Sequence, residues 1–276
     1  MRKQKETLSV PWLNKEISIN FERLTDQVFI PKWVRYEHIQ RFVFASQFVK
    51  DKIVVDCACG SGIGTDLFLK AGAKFVEAID SSESSIAVAR SRSNATNVHF
   101  QVGNAISLPL PNHIADVYIA LETIEHIQQD QAFLNEVLRV IKLEGLFICS
   151  TPNRTVTNPG TTMTHKPWNP FHVREYTQQE FVDRLKTVFQ SIELYGQNCQ
   201  SPLKINMMEK LGKILPSSYI ILLNQIMKFP LLIFDRLERH AVLPLEAGQQ
   251  YEYVVAICRP RNNYESCFRT ARDDKD

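Results

Sequence analysis

The sequence IVVDCACGSGIGT, residues 53–65, decides the fold. It opens with a short apolar run rich in β-branched residues, which is typical of a strand buried in a parallel sheet. An acidic residue and three glycines follow this run: Asp56, Gly60, Gly62 and Gly64. Because residues 65–71 have a helical pattern, the stretch predicts a strand, a glycine-rich turn and a helix N-terminus, as at nucleotide-binding corners. The alternative is a plain joint between a strand and a helix.

Three further apolar segments predict neighbouring strands of the same sheet. They are residues 74–79, 98–102 and 115–120. The first of them ends at Asp80, which follows Gly60 by 20 residues. A doubly wound sheet places there the carboxylate that binds a ribose. The alternative role for Asp80 is the N-cap of a helix beginning in SSESSIAVAR.

The order of these motifs resembles that of the class I S-adenosylmethionine (SAM)-dependent methyltransferases. The resemblance covers about residues 35–195 and is carried by VVDCACGSGIGT, AIDSSESSIAVAR, VGNAISLPLP, ADVYIALETIEHI and VIKLEGLFICSTPN. The glycines are not followed by the lysine of an ATP-binding loop, and their G-x-G-x-G spacing differs from the G-x-G-x-x-G of nicotinamide-binding loops. The resemblance implies SAM as the cofactor. It also implies an α/β fold, with a doubly wound, seven-stranded, mostly parallel Rossmann-like sheet and a helical insertion before the last strand.

The length and the resemblance together predict the domain organisation. A chain of 276 residues, 44% of them apolar, suits one large α/β domain with an insertion. We expect a lead-in or cover in residues 1–31, the SAM-binding core in 32–198, a helical insertion in 199–248, the last strand in 249–259 and a disordered tail in 260–276. The apolar insertion is interpreted as a lid near the substrate. A homodimer face or a peripheral membrane contact through residues 203–240, and plain packing, are the alternatives.

Composition restricts the partners and the compartment. The net charge of +2 and the pI of about 8.2 are too mild for a nucleic-acid-binding surface, so we expect a small-molecule acceptor. The cysteines are scattered, which is typical of reduced packing residues, at positions 57, 59, 149, 199, 258 and 267. The sequence shows neither a secretory signal nor an apolar segment of membrane-spanning length, so we expect a cytoplasmic enzyme.

The resemblance implies which residues bind SAM. Asp56 would orient the glycine turn and meet the amino group of the methionine moiety, and Ala58 stands where many relatives have glycine. Asp80 would accept hydrogen bonds from the ribose hydroxyls. Asn104 and Ala105 replace an Asp-Ala pair that holds the adenine amino group; asparagine keeps an acceptor oxygen but lacks the charge. The implied set is Arg41, Asp56, Ala58, Gly60, Gly62, Asp80, Ser81, Asn104, Ala105 and Leu121.

Arg41 belongs to this set through a separate motif. Related methyltransferases carry E-H-x-x-R-[FY]-x-[FY]-A before the glycine turn, and this chain has EHIQRFVFA. The resemblance implies that Arg41 contacts the SAM carboxylate, for which its planar fork of donors is suited. A surface arginine is the alternative.

The segment ETIEHI, residues 122–127, is predicted to carry the chemistry. Methyl transfer is an in-line displacement, so the enzyme has to place a nucleophile and manage its proton. Glu122, Glu125 and His126 would share one face of a helix that starts here, and such side chains can ligate a divalent cation. The E-x-x-E-H pattern resembles that of ubiquinone-pathway O-methyltransferases and of small-RNA 3′-terminal 2′-O-methyltransferases. The latter add an H-x-x-E-W-T segment, and this chain has HVREYT at residues 172–177.

Two interpretations of these residues stay open. In the first, Glu122, Glu125, His126 and His172 hold Mg²⁺ or Mn²⁺, which lowers the pKa of the attacking hydroxyl. In the second, His126 is a general base without metal, and His172 belongs to a substrate loop. The catalytic candidates are therefore His126, Glu125 and His172. A merely capping and packing role for His126 is the third alternative.

We expect a SAM-dependent methyltransferase that acts on oxygen of a small hydroxylated acceptor, such as a sugar or a natural-product intermediate. The long segment of residues 151–171 leaves the sheet edge where ligands bind, and Trp168 would stack on a sugar there. A disordered connector is the alternative for this segment. The alternatives for the function are N- or C-methylation of a small molecule, and a non-catalytic SAM-binding partner protein.

Overall fold

The computed structural model describes residues 5–10, 15–20, 32–212, 214, 223 and 240–261. The strands in these residues are β1 (Lys5–Val10), β2 (Lys15–Asn20), β3 (Ile53–Cys57), β4 (Phe75–Asp80), β5 (Val98–Val102), β6 (Ala115–Leu121), β7 (Ile141–Pro152), β8 (Phe189–Gln200), β9 (Leu243–Pro244) and β10 (Gln250–Pro260). The helices are α1 (Lys32–Ser46), α2 (Ile63–Lys70), α3 (Glu83–Arg92), α4 (Asp130–Val140), α5 (Arg154–Thr157), α6 (Gln178–Lys186) and α7 (Pro202–Gly212).

Eight strands form one mixed sheet in the order β5-β4-β3-β6-β7-β10-β8-β9. The five from β5 to β7 are parallel, and β10 is antiparallel to both β7 and β8. The chain leaves β3 in one direction and β6 in the other, so the carboxyl ends of these two strands form the switch point at which α/β sheets bind ligands. The predicted doubly wound α/β sheet is confirmed.

The predicted strand number and direction need correction. The sheet has eight strands rather than seven, because the two residues of β9 leave the insertion and pair antiparallel with β8. It is mixed rather than mostly parallel, since β10 and β9 run against their neighbours. A two-residue strand is too short to produce a period in the sequence.

The hydrophobic core lies on both faces of the sheet. Successive side chains of a strand point to opposite faces, and the buried Val54 and Val55 of β3 accordingly belong to two different clusters. One cluster joins the sheet to α4 and α6 through Phe133 and Phe181. The other joins it to α1, α2 and α3, with Phe44, Phe68 and Ile86 at its centre. Helices on both faces fix the ends of the parallel strands, where the site lies.

The structure describes the predicted lead-in and the predicted insertion only in part. β1 and β2 form a separate antiparallel two-stranded sheet within residues 1–31, where we expected a lead-in or cover. The described part of the insertion is mainly α7, so most of the predicted lid or partner surface of residues 203–240 lies outside the described residues, as does the tail from residue 262. Among the described helices, none has the length and apolarity needed to cross a membrane. The cytoplasmic location stays a prediction.

The cysteines of the described residues are free thiols. Four are buried and one, Cys199, is exposed. The expectation of reduced packing residues is therefore confirmed for the buried four, whereas Cys199 is exposed and its thiol donates to the side-chain oxygen of Gln249. Cys267 lies outside the described residues.

Candidate functional site

The turn between β3 and α2 uses the left-handed backbone conformation at three positions. These are Ala58 with φ of 62°, Gly60 with φ of 54° and Gly62 with φ of 81°. An alanine pays roughly 1 kcal/mol for this conformation, so Ala58 is a strained position in the turn. Gly64 has another role: a Cβ there would lie 2.7 Å from the ring of Phe42, so this glycine lets α2 pack closely on α1.

Asp56 lies beneath the turn and does not line the cavity described below. The hydroxyl of Thr65 donates a hydrogen bond of 2.5 Å to its carboxylate, which connects the end of β3 to the start of α2. Burial raises the pKa of Asp56 to about 7, and the nearby charge of Asp80 adds to the effect. This position agrees with the predicted role in orienting the turn, while a contact with the amino group of SAM stays a prediction.

Asp80 connects the turn to the end of β4. Its carboxylate accepts hydrogen bonds from the backbone N–H groups of Gly60, at 2.8 Å, and of Ser82, at 2.9 Å. The N-cap of α3 is Ser82, whose side chain accepts from Ser85, so the N-cap alternative for Asp80 is wrong. Asp80 also lines the cavity, and a carboxylate has further lone pairs to offer to a ligand there.

A cavity of about 550 Å³ opens at the carboxyl ends of β3, β4, β5 and β6. Its volume lies in the range of sites for small molecules and cofactors. The predicted residues that line it are Ala58, Asp80, Ser81, Asn104, Ala105, Glu122 and His126. Its other lining residues, which the sequence analysis missed, are Cys57, Ile79, Gly103, Ile106, Thr123, Ile127, Gln128 and Gln129. Most of them directly precede or follow predicted residues, so the strand ends were the signal that could have found them.

Several predicted residues lie outside this lining. Gly60 and Gly62 shape the turn, and Arg41 and Asp56 are buried outside the lining. Leu121 was expected to line the site, but it packs against the hydrophobic cluster between the sheet and α1, α2 and α3. The reason is that Leu121 ends β6 with its side chain on the core face, whereas the next residue turns toward the cavity.

Asn104 lies on the cavity wall after β5. Its side-chain oxygen accepts a hydrogen bond of 3.1 Å from the backbone N–H of Ile106, which forms a tight turn. A carbonyl oxygen has two lone pairs, so one acceptor position stays available for an adenine amino group. The adenine contact itself stays a prediction.

Arg41 is buried, with 1% of its side chain exposed, so the surface-arginine alternative is wrong. One of its terminal nitrogens donates to Gln197 on β8, and its guanidinium lies 4.3 Å above the ring of Tyr253. Its Nε lies 3.7 Å from a carboxylate oxygen of Glu122, which lines the cavity. Within the described residues, Nε and Nη2 have no hydrogen-bond acceptor. Arg41 therefore has two buried donors without an acceptor, and its Nε lies near Glu122, which lines the cavity.

Glu122 does not lie on a helix, which corrects the prediction that Glu122, Glu125 and His126 share a helical face. It has a left-handed backbone with φ of 50°, and only a short 3-10 turn, Ile124–His126, follows it. Ser150 on β7 holds it by donating a hydroxyl hydrogen bond of 2.6 Å to its carboxylate. Glu122 thus turns away from the other acid and toward Arg41.

Glu125, His126 and His172 come together without Glu122. One ligand atom from each lies within 4.8 Å of the others, so the predicted quartet reduces to a group of three. Glu125 is fully buried; its Oε2 accepts from the hydroxyl of Thr151, and its Oε1 has no hydrogen-bond partner within the described residues. Burial, followed by the charge of Glu122, raises the pKa of Glu125 well above its ordinary value.

His126 presents one ring nitrogen to the protein and the other to the site. Its Nδ1 lies 2.9 Å from the carbonyl oxygen of Phe171. Because a carbonyl only accepts, the neutral ring carries its proton on Nδ1 and its lone pair on Nε2. That Nε2 lies 3.9 Å from Oε1 of Glu125. Burial lowers the pKa of His126, with the hydrogen bond to Phe171 opposing the effect, so the neutral ring predominates at neutral pH.

His172 uses both ring nitrogens within the protein. Its Nδ1 lies 2.6 Å from a carboxylate oxygen of Glu175, and its Nε2 lies 2.9 Å from the side-chain nitrogen of Asn169. Its ring meets that of His126 edge to face, with 4.8 Å between centroids. The segment of residues 151–171 contains α5 and is not a disordered connector. Within it, the backbone N–H of Trp168 donates a hydrogen bond to the side-chain oxygen of Asn158.

The group of three fits a divalent cation in its chemistry. The unpartnered, fully buried Oε1 of Glu125 is an acceptor that a cation or a proton would satisfy. Both histidines have Nδ1 against an acceptor, which is the arrangement that directs Nε2 of a ligating histidine toward a metal. His172 would have to exchange its bond with Asn169 to join.

Part of the chain is similar to known methyltransferases. A family model described as "Methyltransferase domain" matches residues 55–149. A probable SAM-dependent methyltransferase of Mycolicibacterium smegmatis is 36% identical over 140 residues, which are 51% of this chain and 52% of the relative. A ubiquinone biosynthesis O-methyltransferase of Azorhizobium caulinodans is 31% identical over 105 residues, which are 37% of this chain and 41% of the relative. The chain thus spans about half the length of the curated relatives it matches.

Solved structures share the fold. The crystal structure of a SAM-dependent methyltransferase from Thermotoga maritima has a TM-score of 0.56, with 83% of this chain and 94% of that chain covered. The identity is 16%, so the likeness concerns the fold alone.

Proposed function

Residues 55–149 form a class I SAM-dependent methyltransferase domain, an enzyme domain whose cofactor is SAM, and on that premise we propose a function for the whole chain. It transfers the methyl group of SAM to an oxygen atom of a small hydroxylated acceptor, such as a sugar or a natural-product intermediate. The observation that carries this proposal is His126, whose Nδ1 is held by a carbonyl and whose Nε2 lone pair is free beside the cavity.

The cofactor lies across the ends of β3, β4 and β5 in this proposal. Asp80 accepts from the ribose hydroxyls, since its carboxylate lines the cavity and has unused lone pairs. Asn104 accepts from the adenine amino group. Arg41 offers its two unused donors to the carboxylate of the methionine moiety, a planar group that matches the guanidinium fork.

The reaction needs a base for the acceptor hydroxyl. As the oxygen attacks the methyl carbon, its proton passes to Nε2 of His126, and a new C–O bond forms. SAM, when bound, would supply the methyl group, and the electron pair of the broken carbon–sulfur bond would stay on sulfur in S-adenosylhomocysteine, a neutral thioether. The lowered pKa of His126 supports this role because it keeps the ring neutral and ready to accept a proton.

A divalent cation held by Glu125, His126 and His172 is the second candidate for activating the acceptor. The orphaned Oε1 of Glu125 favours it, since an unsatisfied buried oxygen is costly. Such an ion, Mg²⁺ or Mn²⁺, would lower the pKa of a coordinated hydroxyl. In that case His126 would serve as a ligand rather than as the base.

The test is methyl transfer from SAM carrying a labelled methyl group to a panel of sugars, phenols and amines. We expect label in a hydroxylated acceptor, with the activity lost in His126→Gln although this variant still binds S-adenosylhomocysteine. Label only in amines, or undiminished activity of His126→Gln, would contradict the proposal. Repeating the assay with chelator and with added Mg²⁺ or Mn²⁺ separates the base from the metal. Asp66→Asn, on the exposed side of α2, is the matched control for a polar substitution outside the site.

A further inference from the structure

We propose that His172 is a positioning residue, part of a hydrogen-bond chain that starts at Glu175 and fixes which nitrogen of His126 carries the proton. This inference rests on the proposed role of His126 as the base. It assigns functions to Asn169 and Glu175 as well, and gives His172 a role other than that of a ligand or of a substrate contact.

The hydrogen-bond chain consists of four consecutive hydrogen bonds. The Nδ1–H of His172 donates to Glu175 at 2.6 Å, and its Nε2 accepts from the side-chain amide of Asn169 at 2.9 Å. The side-chain oxygen of Asn169 accepts from the backbone N–H of Phe171 at 3.1 Å. The carbonyl of Phe171 then accepts from Nδ1–H of His126 at 2.9 Å. The links lead from one buried carboxylate to the base.

Every donor and acceptor in this chain is determined by its neighbours. A carboxylate only accepts, so Nδ1 of His172 carries a proton, and Nε2, which faces the amide nitrogen of Asn169, is an acceptor. The N–H of Phe171 only donates, so it requires the oxygen of Asn169 and turns the amide nitrogen toward His172. The carbonyl of Phe171 only accepts, so the proton of His126 lies on Nδ1. Nε2 of His126 therefore carries no proton and keeps its lone pair.

The Glu175 end of the hydrogen-bond chain is held in place by further hydrogen bonds. The other carboxylate oxygen of Glu175 accepts from the amide of Asn158 and from the hydroxyl of Thr157. The backbone carbonyl of Glu175 accepts from Nε of Arg154 at 3.1 Å. Glu175 is therefore held against α5 and the residue after it, and it is buried.

The segment that contains the hydrogen-bond chain is also joined to the turn that carries His126, the proposed base. The backbone N–H groups of Val173 and Arg174 both donate to the carbonyl of Glu125, at 2.8 Å and 3.3 Å. The edge-to-face contact between His172 and His126 completes the packing. Segment and turn are thus joined at the backbone and at the rings, so a change in residues 169–175 reaches the orientation of the His126 ring.

The test reads the tautomer of His126 directly and needs no acceptor. Protein labelled with ¹⁵N at histidine is saturated with S-adenosylhomocysteine, and two-bond ¹H–¹⁵N spectra identify the protonated nitrogen of each ring. We expect the Nδ1–H form of His126 in the unaltered protein. Loss of one hydrogen bond from the chain in Asn169→Ala should lower the Nδ1–H to Nε2–H ratio by roughly threefold to tenfold.

Two substitutions of His172 separate positioning from packing. His172→Phe keeps a ring against His126 but has neither donor nor acceptor, and we expect the same fall in the tautomer ratio. His172→Gln keeps one donor and one acceptor, and we expect it to restore the ratio. His113, whose Nδ1 lies 2.9 Å from the carbonyl of Ile141, gives an internal reference that should stay unchanged in every spectrum.

An Nε2–H form of His126 in the unaltered protein would overturn the inference, and so would a ratio that does not change in His172→Phe and Asn169→Ala. Calorimetric binding of S-adenosylhomocysteine to each variant keeps this failure distinct from failure of the proposed function. If the variants bind S-adenosylhomocysteine and the tautomer of His126 is unaffected, the proposed hydrogen-bond chain is wrong and the proposed cofactor site is not contradicted. If the unaltered protein does not bind it, the proposed function is wrong instead.

Discussion

The backbone N–H of Gly60 donates a hydrogen bond of 2.8 Å to the carboxylate of Asp80. This bond joins the turn after β3 to the end of β4, beside the switch point between β3 and β6. One carboxylate thereby fixes the turn and also faces the cavity, so the shape of the turn and the recognition of a ribose depend on the same side chain.

The two glycines of the turn with positive φ should tolerate a side chain differently. A Cβ at Gly60 would have no atom within 4 Å, whereas one at Gly62 would lie 3.1 Å from Ala89 and 3.2 Å from Phe100. We expect Gly60→Ala to lower the free energy of unfolding by roughly 1 kcal/mol. Gly62→Ala should lower it by about 1–3 kcal/mol more, because the core must also make room.

Urea unfolding of both variants measures the difference between them. Gly64→Ala, which has no φ penalty but would place a Cβ 2.7 Å from Phe42, is the control for packing alone. If Gly60→Ala and Gly62→Ala lower the free energy of unfolding equally, the contacts around Gly62 do not contribute to the loss of stability.

Asp56 should make stability depend on pH. Its folded pKa of about 7 lies above the ordinary value of 3.8, so between these values the folded protein binds a proton that the unfolded chain releases. The stabilisation is present below about pH 4 and is lost as the pH rises toward 7, with a slope of at most about 1.4 kcal/mol per pH unit. The asparagine of the Asp56→Asn variant cannot ionise. The free energy of unfolding of this variant should therefore increase relative to that of the wild type as the pH rises.

Urea unfolding of the wild type and of Asp56→Asn from about pH 5 to about pH 8 checks this. Subtracting one curve from the other removes the contribution of groups common to both proteins. A difference that does not vary with pH would show that Asp56 is ionised in the folded protein over this whole range.

Arg41 should discriminate between ligands with and without an amino-acid moiety. Arg41→Lys loses the planar fork and the bond to Gln197, so we expect S-adenosylhomocysteine to bind roughly tenfold more weakly, or worse. Methylthioadenosine lacks the carboxylate and should bind with nearly unchanged affinity. Calorimetric titration of both ligands gives the comparison, and an equal loss for both would assign Arg41 to the structure rather than to the carboxylate.

The metal candidate predicts a contrast between two neighbouring acids. Glu125→Gln removes one of the three ligands, so Mn²⁺ should bind at least tenfold more weakly, as judged by electron paramagnetic resonance. Glu122→Gln should leave the affinity for Mn²⁺ within about twofold, since Glu122 bonds to Ser150 and stays outside the group. An unaltered protein that binds no Mn²⁺ would discard the metal and leave His126 as the base.

The strand ends made much of the site predictable from the sequence. Parallel strands bring their carboxyl ends to one edge of a sheet, so polar residues at the end of β4 and in the turns after β5 and β6 had to meet. Asp80, Asn104 and His126 follow that rule and line one cavity. Their pairing partners inside the protein, such as Gly60 for Asp80, follow from the same arrangement.

The geometry around Glu122 could not be predicted in the same way. A spacing of three and four residues indicates a shared face only if the segment is helical, and a glutamate with φ of 50° interrupts the helix before it begins. The cause lies far away in the sequence, at Ser150 on β7, which holds Glu122 by its side chain and its backbone. The hydrogen-bond chain from Glu175 to His126 also depends on tertiary contacts, so the family resemblance implied a place for His172 near the site without revealing its partners.

The central claim is that SAM binds across the ends of β3, β4 and β5 and is held by Asp80. Calorimetric titration of S-adenosylhomocysteine into the wild type and into Asp80→Ala tests it most directly. The account predicts one molecule bound per chain in the wild type and an affinity lower by roughly tenfold to a hundredfold in Asp80→Ala, with Asp66→Asn unchanged. Absence of binding to the wild type, or equal affinity in Asp80→Ala, would contradict it.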